Sequence, residues 1–286
     1  MLLVQWFPGH MAKTRRLVYE NIKLVDVVTE LCDARIPASS RNPLFDGLAG
    51  NKPRLLVLGK EDLADTAATG LWLEYYNRSG QKSLALNMVR GTKTARKKLL
   101  QAIRSLAEPV LAKRVQRGIK KQTVRTMVVG IPNVGKSTLI NFLAGKGAAE
   151  TGDRPGVTRG KQWIRLEGEV ELLDMPGLLW PKFEDRETGL KLAVTGAIRD
   201  EAVDGQELAL WLIKWLAGNA PGRIRERYGI EESKDANLLL EEISRKRGFL
   251  QRGGKVDVEK GAAMLLDEFR AGKIGAFTLD ALPGKL

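Results

Sequence analysis

Residues 130–137 read Gly-Ile-Pro-Asn-Val-Gly-Lys-Ser, set between an apolar stretch at 124–131 and a helical pattern carrying Leu139, Ile140, Phe142 and Leu143. A strand that ends in a glycine-rich G-x-x-x-x-G-K-S turn and continues into a helix is a phosphate-binding loop. Gly135 lets backbone amides close around phosphates with no side chain in the way. The helix start adds positive potential, Lys136 reaches the β- and γ-oxygens, and the Ser137 hydroxyl can ligate Mg2+. Asn133, Val134 and Thr138 complete the expected phosphate shell. A nucleoside triphosphate held at the end of a parallel strand is therefore expected.

Asp174-Met175-Pro176-Gly177 follows the apolar stretch 170–173. A carboxylate at a strand end downstream of a phosphate loop suits the Mg2+ shell, and the Gly177 amide can meet a γ-phosphate. Arg154-Pro155-Gly156-Val157-Thr158 lies between the two motifs, where a first switch belongs, with Thr158 as a second hydroxyl ligand to Mg2+. A guanine reader normally reads N/T-K-x-D and follows these motifs, and nothing downstream fits. Upstream, after the apolar stretch 55–58, stands Gly59-Lys60-Glu61-Asp62. Asp62 can accept the guanine N1–H and N2–H together, and the Lys60 stem can cover the ring. Gly59 stands where an Asn is usual. Asn87, after the stretch 84–86, suits the second base-contacting loop, although its own residues do not identify it.

The motif order is thus permuted, with base loops first, phosphate loop second and switches last. Such a permutation is physically easy where the original termini lie close together at the surface. Apolar runs at 25–32, 55–58, 84–86, 124–131 and 170–173, alternating with helical patterns, predict an α/β fold built on a parallel sheet. Residues 162–166 and 170–173, separated by Glu167-Gly168-Glu169, predict a hairpin. After about residue 184 the pattern becomes all-helical, with helices expected at 190–198, 206–217, 237–247 and 258–270. The expected domains are 1–184, a GTPase sheet with circularly permuted motif order, and 185–286, a second, all-helical domain.

The net charge of +13 is unevenly spread. Residues 185–286 hold 17 basic and 17 acidic side chains, so the excess lies in the first part, where 90–125 carries 12 Lys/Arg against Glu108 alone. A charge run is often a solvated face, but this one is lopsided enough to point to a polyanion. Helical spacing of Leu99, Leu100, Ile103, Leu106 and Ala107 predicts that Arg96, Lys97 and Arg104 point largely to solvent. Cys32 and His10 are the only residues of their kinds, so neither a disulfide framework nor a Cys/His metal centre is expected. The apolar helix at 208–217 is short and carries Lys214, which argues against a membrane span. Residues 1–7 lack a charged n-region and meet Pro8 early, so no signal peptide is expected.

Together these residues resemble the circularly permuted GTPases and, within them, the ribosome biogenesis GTPase A family. The resemblance is carried by Trp6-Phe7-Pro8-Gly9-His10-Met11-Ala12-Lys13, Asp33-Ala34-Arg35-Ile36-Pro37, Pro155-Gly156-Val157-Thr158, Arg245-Lys246-Arg247-Gly248 and Phe269-Arg270-Ala271-Gly272-Lys273, besides the motif order. It implies a cytoplasmic GTPase that binds GTP and GDP with Mg2+ and acts late in assembly of the large (50S) ribosomal subunit, contacting its 23S rRNA. In that family an apolar residue replaces the water-positioning glutamine; Leu178 holds that place here. The resemblance points to His10 as the substitute, although by its chemistry a lone His after Pro-Gly reads as a surface or capping residue. Asn133 matches a position that coordinates K+ in related GTPases, and reads equally as a loop asparagine bonding backbone. Besides a GTPase triggered by a pre-50S particle, a nucleotide-gated RNA-binding scaffold is compatible with these motifs. A small-subunit assembly GTPase of the other permuted type would bring an OB-like domain and a Cys/His zinc site, and neither is visible. The sequence does not fix the oligomeric state; a monomer is the expectation.

Overall fold

A computed structural model of the chain describes residues 8–119, 122–145, 163–180, 185–233 and 235–284, without the side chains of 8–11 and 202. The described residues fall into two compact units, one within Phe7–Lys182 together with Asp280–Leu286, the other within Phe183–Leu279.

In the first unit the elements run α1 (Pro8–Ile22), β1 (Val27–Asp33), α2 (Leu44–Ala49), β2 (Arg54–Gly59), α3 (Thr66–Arg78), β3 (Ser83–Leu86), α4 (Lys93–Gln116), β4 (Val124–Gly130), α5 (Lys136–Ala144), β5 (Trp163–Leu166) and β6 (Val170–Asp174). The strands form one sheet in the order β3-β2-β1-β4-β6-β5. All neighbours are parallel except β5 and β6, which form the expected antiparallel hairpin. Every residue of β1 is buried, as expected of a strand covered on both faces, and this is why its sequence reads as an apolar run rather than an alternation. The two polar residues Thr29 and Thr126 meet across β1 and β4, their hydroxyls 3.0 Å apart, so neither is left unsatisfied. One apolar cluster joins Val18 and Ile22 of α1 and Phe45 of α2 to Val28, Met127 and Leu173. Another packs Trp72 and Tyr76 of α3 on Cys32, Leu56 and Leu58. Since β4 is central and β2 and β3 lie beyond β1, the base-recognition and phosphate loops emerge from C-terminal strand ends of one parallel sheet. In open α/β sheets that edge is where ligands bind.

Helix α4 differs from the expectation in what its basic side chains do. Lys97 is exposed, but Arg96 pairs with Glu167 at 2.6 Å and Arg104 donates to the Gly168 carbonyl and pairs with Glu169. Both arginines brace the β5–β6 turn, where Gly168 and Glu169 have positive φ. Arg114 is likewise spent on Asp26 and the Thr123 carbonyl. Part of the basic run is therefore internal scaffolding. The helices α1 and α2 also went unread, because neither offers a long apolar stripe.

The second unit contains α6 (Arg186–Val194), α7 (Gly205–Asn219), α8 (Arg223–Tyr228), α9 (Ala236–Lys246) and α10 (Val258–Arg270). Helix α10 has the expected bounds. Helix α6 starts and ends four residues earlier than the apolar pattern suggests, since Asp185 caps it through the Thr188 amide and Gly196 turns the chain at φ 79°. Asp204, Asp235 and Asp257 cap α7, α9 and α10 in the same way. Glu268 gathers Arg227, Tyr228 and Arg247, with Arg227 donating at 2.8 and 2.9 Å. Those neighbours hold its carboxyl below the usual carboxylate range, the Arg227 hydrogen bonds leading. Arg247 is thus tied into the helical unit, whereas Lys246 and Arg252 are exposed.

The expected boundary at 185–286 needs one correction. The chain after α10 returns to the first unit: the Asp280 carboxylate accepts from the Ala38 and Ser39 amides at 2.8 Å and from the Ser39 hydroxyl at 2.7 Å. Leu282 packs beside Trp72 and Tyr76. Three donors meet this one buried carboxylate, as a buried polar group requires.

Candidate nucleotide-binding site

The phosphate loop leaves β4 at Gly130 and closes onto α5, where Gly135 is the N-cap at φ 106°. A side chain at that φ is strained, which accounts for the glycine. Val134 is buried and anchors the loop, while Asn133 (φ 54°), Ser137 and Thr138 are exposed around it. Lys136 Nζ donates to the Ile131 carbonyl at 2.7 Å and the Gly130 carbonyl at 3.3 Å. Burial depresses this ammonium to about 8, although Asp174 pulls it back up. Asp174 ends β6; burial raises its carboxyl while Lys136 and the Met175 amide lower it. The two groups form an incompletely solvated pair that suits an incoming polyanion and cation.

Among the described residues no three His, Cys, Asp or Glu side chains gather as a metal cluster. The donor set is that of Mg2+ shared with phosphates: one hydroxyl, Ser137, in the first turn of α5, and one carboxylate, Asp174, at a neighbouring strand end. Hard oxygen ligands and few protein contacts fit that ion.

Gly177 lies directly on the phosphate loop. A Cβ there would stand 2.9 Å from Lys136 Nζ and from Pro132 N and Cα, so only glycine lets the switch strand approach so closely. The next residue, Leu178, points into the core with Val18, Phe45, Met127 and Met175. Its amide donates to the Gly130 carbonyl at 3.2 Å and its carbonyl accepts from Asn42 Nδ2 at 2.7 Å. Asn42 is buried and was not legible as a site residue; it reaches the switch from the loop after β1. The loop 154–158, with Thr158, lies outside the described residues. His10 falls within α1, and its side chain is also outside them.

On the base side, Lys60 adopts a left-handed conformation (φ 56°) and opens the 3-10 turn Glu61–Leu63, which exposes Asp62. Lys60 Nζ contacts Asp33 Oδ2 at 3.0 Å and donates to the Asn133 carbonyl at 3.2 Å. It therefore ties the turn after β2 to the loop that carries Asn133. Asp33 is in turn clamped by Arg35, whose Nε and Nη2 donate at 3.0 and 2.7 Å. Asn87 Oδ1 accepts from the Val89 and Arg90 amides at 3.1 and 2.9 Å, so its carbonyl shapes its own loop. Asp33 belongs to the Asp33-Ala34-Arg35-Ile36-Pro37 motif, but its contact with Lys60 was not legible there.

Burial would raise the Asp33 carboxyl, but Arg35 and Lys60 outweigh it and hold the group at about 2, below the unfolded value of 3.8. The stabilisation is present above pH 4 and is lost as pH falls towards 2, amounting to about 2 kcal/mol. Asp33→Asn is expected to flatten that acid limb in urea titrations at stepped pH; an unchanged limb would place the acid lability elsewhere.

Comparison with known proteins bears on this geometry. The family described as "50S ribosome-binding GTPase" matches residues 125–245, beginning at the strand before the phosphate loop and leaving the base loops outside, as the permuted order requires. Ribosome biogenesis GTPase A of Priestia megaterium is 48% identical over 98% of this chain and 97% of that one. Its counterpart in Thermotoga maritima is 31% identical over 97% and 94%, and mitochondrial ribosome-associated GTPase 1 of Ictalurus punctatus is 37% identical over 97% and 92%. The GDP-bound structure of YlqF from T. maritima superposes with TM-score 0.68 at 28% identity, covering 93% of this chain and 98% of that one.

Proposed function

The chain belongs to the ribosome biogenesis GTPase A family, and on that premise we propose that its GTP hydrolysis serves late maturation of the large ribosomal subunit. It is a GTPase of ribosome biogenesis; the finer reading is that it binds a pre-50S particle and 23S rRNA in the cytoplasm and is released on hydrolysis.

In this reading Asn133, Val134, Gly135, Lys136 and Thr138 hold the phosphates. Ser137, Asp174 and Thr158 hold Mg2+, which when bound offsets charge on the β- and γ-oxygens. Phosphate oxygens replace the loop carbonyls as partners of Lys136, and the Gly177 amide meets the γ-phosphate. Lys60, Asp62 and Asn87 form the base site. The observation that carries the particle-triggered reading is Leu178, whose side chain is committed to the core and cannot orient water. The water-positioning group must therefore come from elsewhere, and we infer that His10 supplies it on the particle. Asn133 is the residue that would hold K+ if that ion is bound. Exposed Lys93, Lys97, Lys98 and Lys113 along α4 supply basic contacts for rRNA, and Lys246 and Arg252 supply others on the helical unit.

Co-sedimentation with 30S, 50S and 70S particles, with GDP or a non-hydrolysable GTP analogue, tests this assignment. Enrichment on 50S in the triphosphate state is expected, weakening roughly 10³-fold between 50 and 200 mM salt for about six phosphate contacts. Enrichment on 30S would sink the assignment. If 50S particles leave GTP turnover unchanged, and His10→Ala changes nothing, the protein is a nucleotide-gated scaffold instead.

A further inference from the structure

Gly59 ends β2 immediately before the base-recognition turn, where an Asn side chain would ordinarily brace that turn. The space for such a side chain is taken. A Cβ on Gly59 would stand 2.8 Å from Met88 Cε and 3.1 Å from Leu31 Cδ1. The same Met88 methyl lies 3.3 Å from where a Cβ on Gly135 would stand. Met88 is 7% exposed, so its thioether is wedged between the end of β2 and the N-cap of α5. The loop that carries it is pinned at both ends. Asn87 Oδ1 holds the Val89 and Arg90 amides, and Gly91 is pressed against the Phe142 ring of α5.

From this we infer that Met88 is a positioning residue for guanine recognition: its methyl fills the site of the missing asparagine and packs the base-recognition turn against the phosphate loop. The inference rests on the reading of Lys60 and Asp62 as the base site. An apolar wedge can do this because a flexible thioether fills irregular gaps, and Lys60 already supplies the polar link between the two loops. The glycine and the methionine are then one device. An asparagine at 59 displaces the methyl, and an alanine at 88 leaves a void, yet the two changes together restore room for a polar brace.

A double-mutant cycle read by calorimetry on the full chain tests this, with GDP and IDP as probes. IDP lacks the 2-amino group, so the GDP/IDP affinity ratio reports where the Asp62 carboxylate sits, which a merely structural role would not move. Gly59→Asn and Met88→Ala should each weaken GDP binding, the former by roughly 10-fold, and drive the GDP/IDP ratio towards one. Residues in contact couple by this order. The double variant should return to within about threefold of the wild-type affinity and recover the ratio. Losses that multiply, with no recovery of the ratio, would overturn the proposal. Thermal midpoints of the four proteins separate misfolding from misplacement: a single variant that no longer melts cooperatively is replaced by Met88→Leu, which fills the same space and should retain the ratio, and loss of the ratio in Met88→Leu with an unchanged midpoint would overturn positioning by packing. Failure of the base site itself is distinguished by Asp62→Asn, which must abolish the GDP/IDP ratio whatever Met88 does.

Discussion

Asp62→Asn is expected to turn preference from guanine to xanthine nucleotides, changing the GTP/XTP ratio of kcat/KM by roughly 10³-fold or more. The exposed carboxylate after Lys60 offers two acceptors to the N1–H and N2–H edge of guanine. An amide offers one acceptor and one donor, so guanine would face a donor with a donor. Xanthine carries a carbonyl in place of the 2-amino group and restores the pairing. Each charge-assisted bond lost amounts to about 1.5–3 kcal/mol, and a site built to hydrogen-bond rejects a mismatched edge strongly. Lys60 keeps its contacts with Asp33 and Asn133, neither of which involves Asp62, so the turn retains its shape and the effect stays chemical. Initial rates with both nucleotides check it. Equal losses for both would remove Asp62 from base recognition and move the reader to another loop.

How far this site was legible depends on whether its parts are contiguous in the chain. The phosphate loop is eight consecutive residues between a buried strand and an apolar helix, so sequence pattern sufficed. Asp174–Gly177 became specific once that loop was known. Gly59–Asp62 is proposed from its place after a short strand, and the parallel order β2-β1-β4 brings that upstream segment to the same sheet edge as the phosphate loop. What stayed hidden depends on distant partners. Met88 reads as one apolar residue in a loop, and only the approach of Gly59 and Gly135 gives it a task. Arg96 and Arg104 look like a solvated face until the hairpin turn is folded against α4. Asp280 follows an all-helical stretch, and nothing local shows that it binds the loop after β1. Helix α8 is six residues long and mostly polar, below the length at which periodicity can be read.

Lys136 separates catalytic from structural contributions. Lys136→Met is expected to lower kcat/KM for GTP by at least about 10³-fold, because a donor aimed at charge that develops on phosphate is worth 10²–10³ and this one also binds the ground state. The nucleotide-free protein should lose no stability. Burial holds the lysine near 8, below its ordinary value, even with Asp174 opposing the shift. The folded state therefore disfavours the charged form, and at pH 7 the ammonium is retained at a cost to the fold. That contribution vanishes only as pH rises through 8 towards the ordinary lysine value, where the folded group is neutral and the unfolded group still charged before it too deprotonates. Removing the charge at pH 7 should leave the thermal midpoint unchanged or raise it, by about 2–4 °C for each kcal/mol relieved in a domain of this size. Scanning calorimetry of nucleotide-free wild type and variant decides the point. A midpoint that falls by several degrees would mean that the bonds to the Gly130 and Ile131 carbonyls outweigh the burial of the charge, and that the lysine holds the loop together as well as its ligand.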